Sequence, residues 1–493
     1  MTKTNKNSFD LKLILFIIVL YTIHIVIINI PLLSGSFGLL EFLAAIYLFI
    51  RKKIAYLLIY LLIVISGTFD VPAFVTGTVG SVVYTFLFLP VVKGYLFYLL
   101  ICLPGIYIFP KLRRLKHLKI EYKQTYTLLK WACWIPVIGF MMGLTGILIN
   151  DNNITHIDWS SYFVKDLITI TSLSLFVIYF CYQLLTDDKF YLLLRKAMIA
   201  ILISLPICAI VSILLKLNGW YGTEEILLVP LTLFFAPLII CFAFYKEYDM
   251  KWTAIFIFLI CIVLQFKFSN ALGGKSWLSI LYLLLAIFII TYQRGKKKIL
   301  LFTMFCILGV SGITMNYIQN KASSGDSLSS GKLTQAVLLL SVVDPEWYIN
   351  IPSSPKQRIE EFLNIIEEYK LKPLYLIEGK GFAGSIKDHR NSFGSYLIDS
   401  FSEDQYSNNS FIILHETVNT IFLKFGLLGL ICLIIILKRG VQTFRYSPWG
   451  IIGCLWLLFF FGYSISLGIF GVSALTLSCY DADKNKLNSK KKI

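Results

Sequence analysis

The sequence predicts an all-α polytopic integral membrane protein, with about 12–14 transmembrane helices and one large extracytoplasmic loop domain. Of its 493 residues, 57% are hydrophobic and 15% are charged, whereas soluble proteins average roughly 45–50% apolar and about 25% charged residues. Apolar runs of the length needed to cross a bilayer recur along the chain. Clusters of Lys and Arg separate these runs, as they do in cytoplasmic loops. Together these features exclude a cytosolic enzyme, a disordered chain and a secreted disulfide scaffold.

The apolar runs give the predicted spans in order. They lie near 11–31, 36–50, 54–68, 76–109, 127–149, 165–184, 196–215, 226–245, 252–269, 276–293, 299–317, 411–438 and 447–480. The runs 76–109 and 447–480 each fit one crossing or two. Residues in the middle of the spans are nearly all apolar, and all ten cysteines fall in apolar runs. We therefore expect the cysteines to behave as small buried hydrophobes.

Charge predicts the domain organisation and the orientation. Residues 1–317 and 411–480 form helix bundles, 318–410 form the large loop, and 481–493 form a basic cytoplasmic tail. The net charge is +17 overall, yet the loop holds nine basic and twelve acidic residues. An N-terminus in the cytoplasm places the basic clusters inside and the acidic loop outside. The basic excess is thus a topology signal, and no nucleic-acid partner is expected.

An amphipathic helix is predicted within the loop, from Pro355 to Tyr369. Ser353 or Ser354 can cap it, and proline suits its first turn. Five apolar residues recur at helical spacing: Ile359, Phe362, Ile365, Ile366 and Tyr369. The acidic pairs at 360–361 and 367–368 are expected to occupy its solvated face.

Two arginines stand out because they lie outside the membrane. Of nine arginines, only Arg358 and Arg390 fall in the external loop, where they serve no topological purpose. The guanidinium of arginine can donate two parallel hydrogen bonds to one phosphate group. Arg358 also falls in the first turn of its predicted helix, where the helix dipole slightly disfavours a cation. These features suit a bound anion, and a solvated surface arginine is the alternative.

His415 is the candidate catalytic residue. It lies where the loop enters span 411–438, and 23 residues, about 35 Å of straight helix, separate it from Lys438. This length predicts His415 at the outer interface, where a neutral imidazole can accept a proton from a hydroxyl. Glu416 is adjacent but would point about 100° away on a helix. An interfacial histidine without chemistry is the alternative.

Other polar residues are weaker candidates. Lys275 opens span 276–293 from the outer side, either as a snorkelling residue or as a phosphate ligand. Lys380 lies in the run 379–384, Gly-Lys-Gly-Phe-Ala-Gly, which lacks the P-loop spacing and reads as a tight turn near the ligand. His389 is expected at the surface. Neither the histidines nor the acidic residues have the spacing of a metal site.

The C-terminal half resembles the O-antigen polymerases and O-antigen ligases. The match rests on the run HETVNTIFLKFGLLGL, from His415 to Leu430, with Gly426 and Gly429 at the family's glycine positions. Upstream, Arg358 heads an amphipathic helix that a proline and a glycine turn follow, in the family's order. Lys275 stands where the family usually has arginine, and Glu416 stands where it often has asparagine. The resemblance covers roughly residues 265 to 440.

This resemblance implies a metal-independent and cofactor-free glycosyltransferase of the bacterial cytoplasmic (inner) membrane, with its active site facing the periplasm. Its donor would be an undecaprenyl-diphosphate-linked oligosaccharide, and membrane lipid, a chain-length regulator or a flippase would be its other partners. His415 would be the general base. Arg358, Arg390 and Lys275 would bind the diphosphate, with Glu416 and Lys380 in support.

Three functions are left open. A polymerase joins repeat units of a surface polysaccharide (O-antigen, capsule or exopolysaccharide), and a ligase transfers the finished glycan to lipid A core in lipopolysaccharide synthesis. Both use the same site chemistry, and we favour the polymerase. The third function is transport of a polysaccharide or a lipid-linked oligosaccharide, which predicts ionisable residues deep in the spans.

Overall fold

A computed structural model describes residues 10–27, 31–66, 95–148, 159–214, 353–393, 401, 403–412, 414, 416–444, 446–458 and 465–490. In chain order the helices are α1 (Leu11–Ile27), α2 (Pro31–Ile50), α3 (Ile54–Ser66), α4 (Tyr95–Ile108), α5 (Lys123–Leu148), α6 (Trp159–Thr186), α7 (Asp188–Leu214), α8 (Ser353–Leu371), α9 (Leu374–Glu378), α10 (Glu403–Ser407), α11 (Thr417–Thr443), α12 (Trp449–Leu458) and α13 (Ile465–Lys490). A 3₁₀-helix, Phe109–Lys119, follows α4.

The described residues are almost entirely helical and contain no β-strand. One isolated antiparallel bridge joins Ile386 to Phe411. Helices prevail because a helix satisfies its own backbone hydrogen bonds, which a chain in lipid must do without water.

Within the described residues, three helices are long and apolar enough to cross a membrane: Lys123–Gly146, Tyr162–Thr186 and Thr417–Thr443. Shorter apolar helices occur at Leu11–His24, Ser36–Ile50, Ile54–Ser66 and Trp449–Leu458. The chain is therefore a helical protein suited to a membrane. All four predicted spans between 226 and 317 lie outside the described residues, so the number of spans stays a prediction.

The chain divides into two compact units. The first comprises Met1–Phe37, Gly67–Thr85 and Leu193–Ile351, and the second comprises Gly38–Ser66, Phe86–Leu192 and Pro352–Ile493. In the first unit, α7 packs against α1. The hydroxyl of Ser204 donates to the carbonyl of Ile14 at 3.3 Å, and the thiol of Cys208 lies 3.6 Å from the carbonyl of Ile18.

In the second unit, α13 packs against α12, α6, α5 and α3. Small residues allow close approach between α11 and α12, because a Cβ on Gly450 would come within 2.2 Å of the carbonyl oxygen of Gly440. Asp483 of α13 caps the start of α5. Its Oδ2 accepts the amide of Gln124 at 3.0 Å and both the amide and the hydroxyl of Thr125 at 2.9 Å.

Several predicted boundaries differ from the structure. α6 and α7 begin at Trp159 and Asp188 rather than near 165 and 196, and three further differences concern the candidate site and the tail. α8 begins at Ser353, which places Arg358 in the second turn rather than the first, so the dipole argument for an anion there loses its basis. α11 begins at Thr417 rather than 411, because Glu416 is extended, with φ −127° and ψ 142°. α13 continues as far as Lys490 and takes in most of the predicted tail.

Candidate functional site

Helix α8 lies against the first half of α11. The ring of Phe362 stacks on Phe422, with centroids 5.4 Å apart, and Tyr369 meets the same ring edge-on at 5.1 Å. A buried apolar core joins the two helices to the segments that follow α8. It consists of Ile365, Tyr369, Ile386, Phe393, Phe401, Phe411, Leu414, Phe422 and Leu423. This core holds the polar groups of α8 beside the start of α11.

Arg358 is anchored to the residue that precedes α11. Its Nε lies 2.5 Å from Oε1 of Glu416, and each side chain is about one-third exposed. The side-chain amide of Asn419 donates to the carbonyl of Arg358 at 2.8 Å and to Oε2 of Glu361 at 3.2 Å. Glu416 is extended rather than helical, so the predicted 100° divergence from its neighbour does not apply.

Arg390 is bound to Glu360, two residues after Arg358 on α8. Its Nε donates to Oε2 of Glu360 at 2.9 Å, and its backbone amide donates to the side chain of Asn364 at 3.2 Å. Asp388 shapes this loop by accepting the amides of Ser392 and Phe393 at 3.0 and 2.8 Å. Arg358 and Glu360 are two residues apart on α8, so both predicted arginines lie toward the same end of this helix but on faces about 200° apart.

Lys380 does not face solvent. Its ammonium is buried and donates to Oε1 of Glu368 at 2.6 Å and to the carbonyl of Ser385 at 2.9 Å. The other oxygen of Glu368 lies 2.5 Å from Nε2 of His389, which is about one-quarter exposed. Lys380 therefore serves to fasten the segment after α9 to α8, and no ligand contact is needed to explain it.

The pKa shifts of this group follow from burial and pairing. Burial raises the pKa of Glu368, but the nearby Lys380 and the hydrogen bonds from Lys380 and His389 bring it below its ordinary value. Burial lowers the pKa of the Lys380 ammonium, and Glu368 opposes that shift. The carboxylate of Glu368 thus stays charged over the physiological range.

The acidic pairs of α8 are not a solvated face, contrary to the prediction. Glu360 is 4% exposed, Glu361 is fully buried and Glu368 is 14% exposed. Only Glu367 is appreciably exposed, where it pairs with Lys370. The polar side of the helix is covered by the 380–393 segment and by α11, so its carboxylates are buried with partners.

The glycine turn 379–384 is not a phosphate cradle, because its amides are already used. In order, the six amides donate to the carbonyls of Tyr375, Leu423, Lys424 and Gly139, to the carboxylate of Asp166, and to the carbonyl of Gly381. A backbone anion site requires amides that point at the ligand. The expectation of a tight turn agrees with this geometry, with Gly379 and Gly381 at positive φ.

This turn fits into a break in α11. Gly426 has φ 57° and ψ −152°, so the helix is interrupted there. The hydroxyl of Tyr369 donates to the carbonyls of Phe422 and Leu423 at 2.7 and 3.0 Å. The amide of Lys380 also donates to Leu423. Carbonyls released by the break are thereby satisfied from outside the helix.

An ion pair with a buried lysine lies beside the turn. Lys424 of α11 is 2% exposed and is hydrogen-bonded to Oδ2 of Asp166 on α6, whose side chain is 20% exposed. The same oxygen accepts the amide of Ala383 at 2.9 Å. Phe382 is fully buried between α5 and α6, against Phe163, and also contacts Phe425. Lys424 falls in the middle of the predicted span 411–438 and Asp166 at the edge of the predicted span 165–184, and their pairing was not predicted.

The predicted site residues have different outcomes. Arg358, Arg390 and Glu416 lie at one end of α8, and Lys380 lies apart in a structural ion pair. His415 and Lys275 lie outside the described residues. Two groups of buried or paired charged residues were not predicted from the sequence. Charged residues inside apolar runs could have identified Asp166 and Lys424. No local signal distinguishes the buried glutamates of α8 from solvated ones.

Each arginine can present a cationic surface while a carboxylate holds it. A guanidinium carries five N–H donors in a fork. Arg390 uses Nε toward Glu360, and Arg358 forms an ion pair with Glu416. The side chains of Arg358 and Arg390 are 35% and 39% exposed. Within the described ranges, no group of three or more His, Cys, Asp or Glu side chains could hold a metal ion.

Comparison of the chain with protein-family models, with curated proteins and with solved structures finds no match.

Proposed function

We propose that the protein is a bacterial surface-polysaccharide polymerase. It would transfer a glycan from an undecaprenyl-diphosphate carrier to a sugar hydroxyl at the outer face of the cytoplasmic membrane. The observation that carries the proposal is the ion pair of Arg358 with Glu416, because Glu416 directly follows His415 in the chain. A cation for the donor diphosphate and a candidate base for the acceptor hydroxyl would then be close enough to act in one transfer step.

The proposed step is a displacement at the anomeric carbon of the donor sugar. His415 takes the proton of the acceptor hydroxyl, and the hydroxyl oxygen forms the new glycosidic bond. The bond from the anomeric carbon to the diphosphate oxygen breaks, and undecaprenyl diphosphate leaves with the bonding electrons. Arg358, Arg390 and Lys275 stabilise the negative charge on this leaving group. Glu416 and Glu360 hold the two arginines in place.

The test uses the purified protein in nanodiscs with an undecaprenyl-diphosphate-linked repeat unit and EDTA. We expect a gel ladder of lengthening lipid-linked glycans. A single transfer that occurs only when a lipid A core acceptor is added would identify a ligase instead. If the lipid-linked donor is merely moved across the bilayer of a sealed vesicle, the protein is a transporter.

Two variants test the residue roles. His415→Ala removes the base and should lower kcat by about 100-fold or more, while the exposed His117→Ala serves as its control. Arg358→Lys keeps the charge but loses the fork, and most of the activity should disappear. Its control is Lys370→Gln, a change to an exposed cation on the same helix. Wild-type rates in either test variant would remove the corresponding role.

The transporter remains a second candidate because of one observation. A transporter needs ionisable groups inside its helices, and Asp166 with Lys424 provides such groups. However, the two charges neutralise each other, and Asp166 also holds the amide of Ala383. A structural role accounts for both contacts, so the enzyme remains the better-supported proposal.

A further inference from the structure

The ion pair of Asp166 and Lys424 has no part in the proposed displacement. It lies among helices that cross the membrane, where an ionisable pair is costly and is usually retained for a function. Both residues contact the glycine turn. Asp166 accepts the amide of Ala383, and the backbone carbonyl of Lys424 accepts the amide of Gly381. The pair therefore connects α6, α11 and the turn at a single point.

The glycine turn is also connected to α8. Lys380, within the turn, is bound through its side chain to Glu368 of α8. Tyr369 of α8 donates to the carbonyls next to the break in α11. Displacement of the turn would strain the bond from Lys380 to Glu368, whereas Tyr369 and Asn419 join α8 to α11 directly. Arg390 lies in the segment that follows the turn, so its position beside Glu360 depends on the turn staying in its place.

We propose that Asp166 and Lys424 are positioning residues, whose ion pair locks the turn 379–384 into the break of α11 at Gly426. Through the segment that follows the turn, this lock sets the place of Arg390 beside Glu360 of α8. The kinetic consequence rests on the proposed function, whereas the lock itself does not.

Single substitutions in the ion pair should have different effects from the double substitution. Asp166→Asn keeps an oxygen for the amide of Ala383 but leaves the Lys424 cation buried without its counter-ion. Lys424→Met leaves the opposite charge behind. Removal of one partner of a buried pair is far more damaging than removal of both. The double variant Asp166→Asn/Lys424→Met should therefore behave closer to the wild type than either single variant.

The first measurement is hydrogen–deuterium exchange of the 379–384 amides in nanodiscs. We expect each single variant to speed their exchange on the order of 100-fold, and the double variant to restore much of the protection. The matched control is Lys438→Met, which removes an exposed lysine from the same helix and should leave the exchange unchanged. Unchanged exchange in both single variants would overturn the lock. If a single variant fails to insert, the double variant still tests the lock, because its turn should exchange faster than that of the wild type.

The second measurement is the kinetics of glycan transfer from the undecaprenyl-diphosphate donor. A purely structural role would reduce the fraction of active protein, and so the apparent kcat, with the KM unchanged. A displaced Arg390 should instead raise the donor KM about tenfold, with recovery in the double variant. Faster exchange with an unchanged KM would refute the positioning role. If the wild type transfers no glycan, the proposed function fails, while the exchange measurement still decides the lock.

Discussion

Replacement of Gly426 by alanine tests whether the break in α11 is built into the chain. Gly426 occupies φ 57° and ψ −152°, a region that is essentially restricted to glycine. A Cβ at this position would lie 2.5 Å from the carbonyl oxygen of Ile377 and 2.6 Å from the amide nitrogen of Gly379. Both are backbone atoms, so no side chain can rotate away to relieve the contact.

The expected cost has two parts. The backbone conformation costs an alanine about 1–3 kcal/mol. Relief of the clash requires the glycine turn to move, which threatens the bonds from Lys380 to the carbonyl of Leu423 and from Gly381 to that of Lys424. A buried carbonyl left without a partner costs about 1–3 kcal/mol. We therefore expect Gly426→Ala to lower the free energy of unfolding by about 2–6 kcal/mol.

The assay is reversible unfolding by SDS titration in mixed micelles, followed by tryptophan fluorescence. Amide exchange across 379–384 provides a local readout of the same change. The control is Leu428→Ala, because Leu428 is 54% exposed on the same helix and should change the stability by less than about 0.5 kcal/mol. A loss below about 1 kcal/mol for Gly426→Ala, with unchanged exchange, would refute the reasoning. The helix could then close across the break without the turn.

Three further predictions concern polar contacts around the same helices. Tyr369→Phe removes the hydroxyl that donates to the carbonyl of Phe422 and should cost about 1–3 kcal/mol in the same SDS titration. The pKa of Glu368 is below its ordinary value of 4.5, so its contribution is present above pH 4.5 and is lost as the pH falls through the lowered pKa. Unfolding measured against pH should show a loss on acidification that Glu368→Gln flattens, and equal slopes in the two proteins would contradict it. Asp483→Ala removes the cap of α5 and should cost about 1–2 kcal/mol in thermal unfolding, whereas an unchanged midpoint would mean that water or another group replaces the carboxylate.

The glycine turn also bears on the interpretation of glycine-rich motifs. The run 379–384 has the composition of an anion-binding loop, yet each of its amides donates to a protein acceptor. The six donors face α5, α6, α9 and α11 and the turn itself, rather than a cavity. Composition alone therefore cannot assign such a turn to phosphate binding, because the direction of the amides depends on what packs against them.

The sequence by itself determined the class of the protein and the existence of most described helices. Apolar runs long enough to cross a bilayer, and the helical spacing of apolar residues in 355–369, are local properties. They require no knowledge of distant partners. The helix Ser353–Leu371 includes that segment, and the described helices overlap the predicted spans within a few residues at most of their ends. The exceptions include the early starts of α6 and α7, the extended Glu416 before α11 and the long α13. Helix ends depend on neighbouring contacts.

Only the tertiary structure decided which polar groups are buried and what they bind. The glutamates of α8 read as a solvated face, but the 380–393 segment and α11 cover them and supply Arg390, Lys380 and Asn419 as partners. Asp166 and Lys424 are 258 residues apart in the chain, and no local pattern links them. The physical reason is that the charge state and hydrogen bonding of a buried group depend on atoms brought near by folding, whereas helix formation depends mainly on neighbours in the chain.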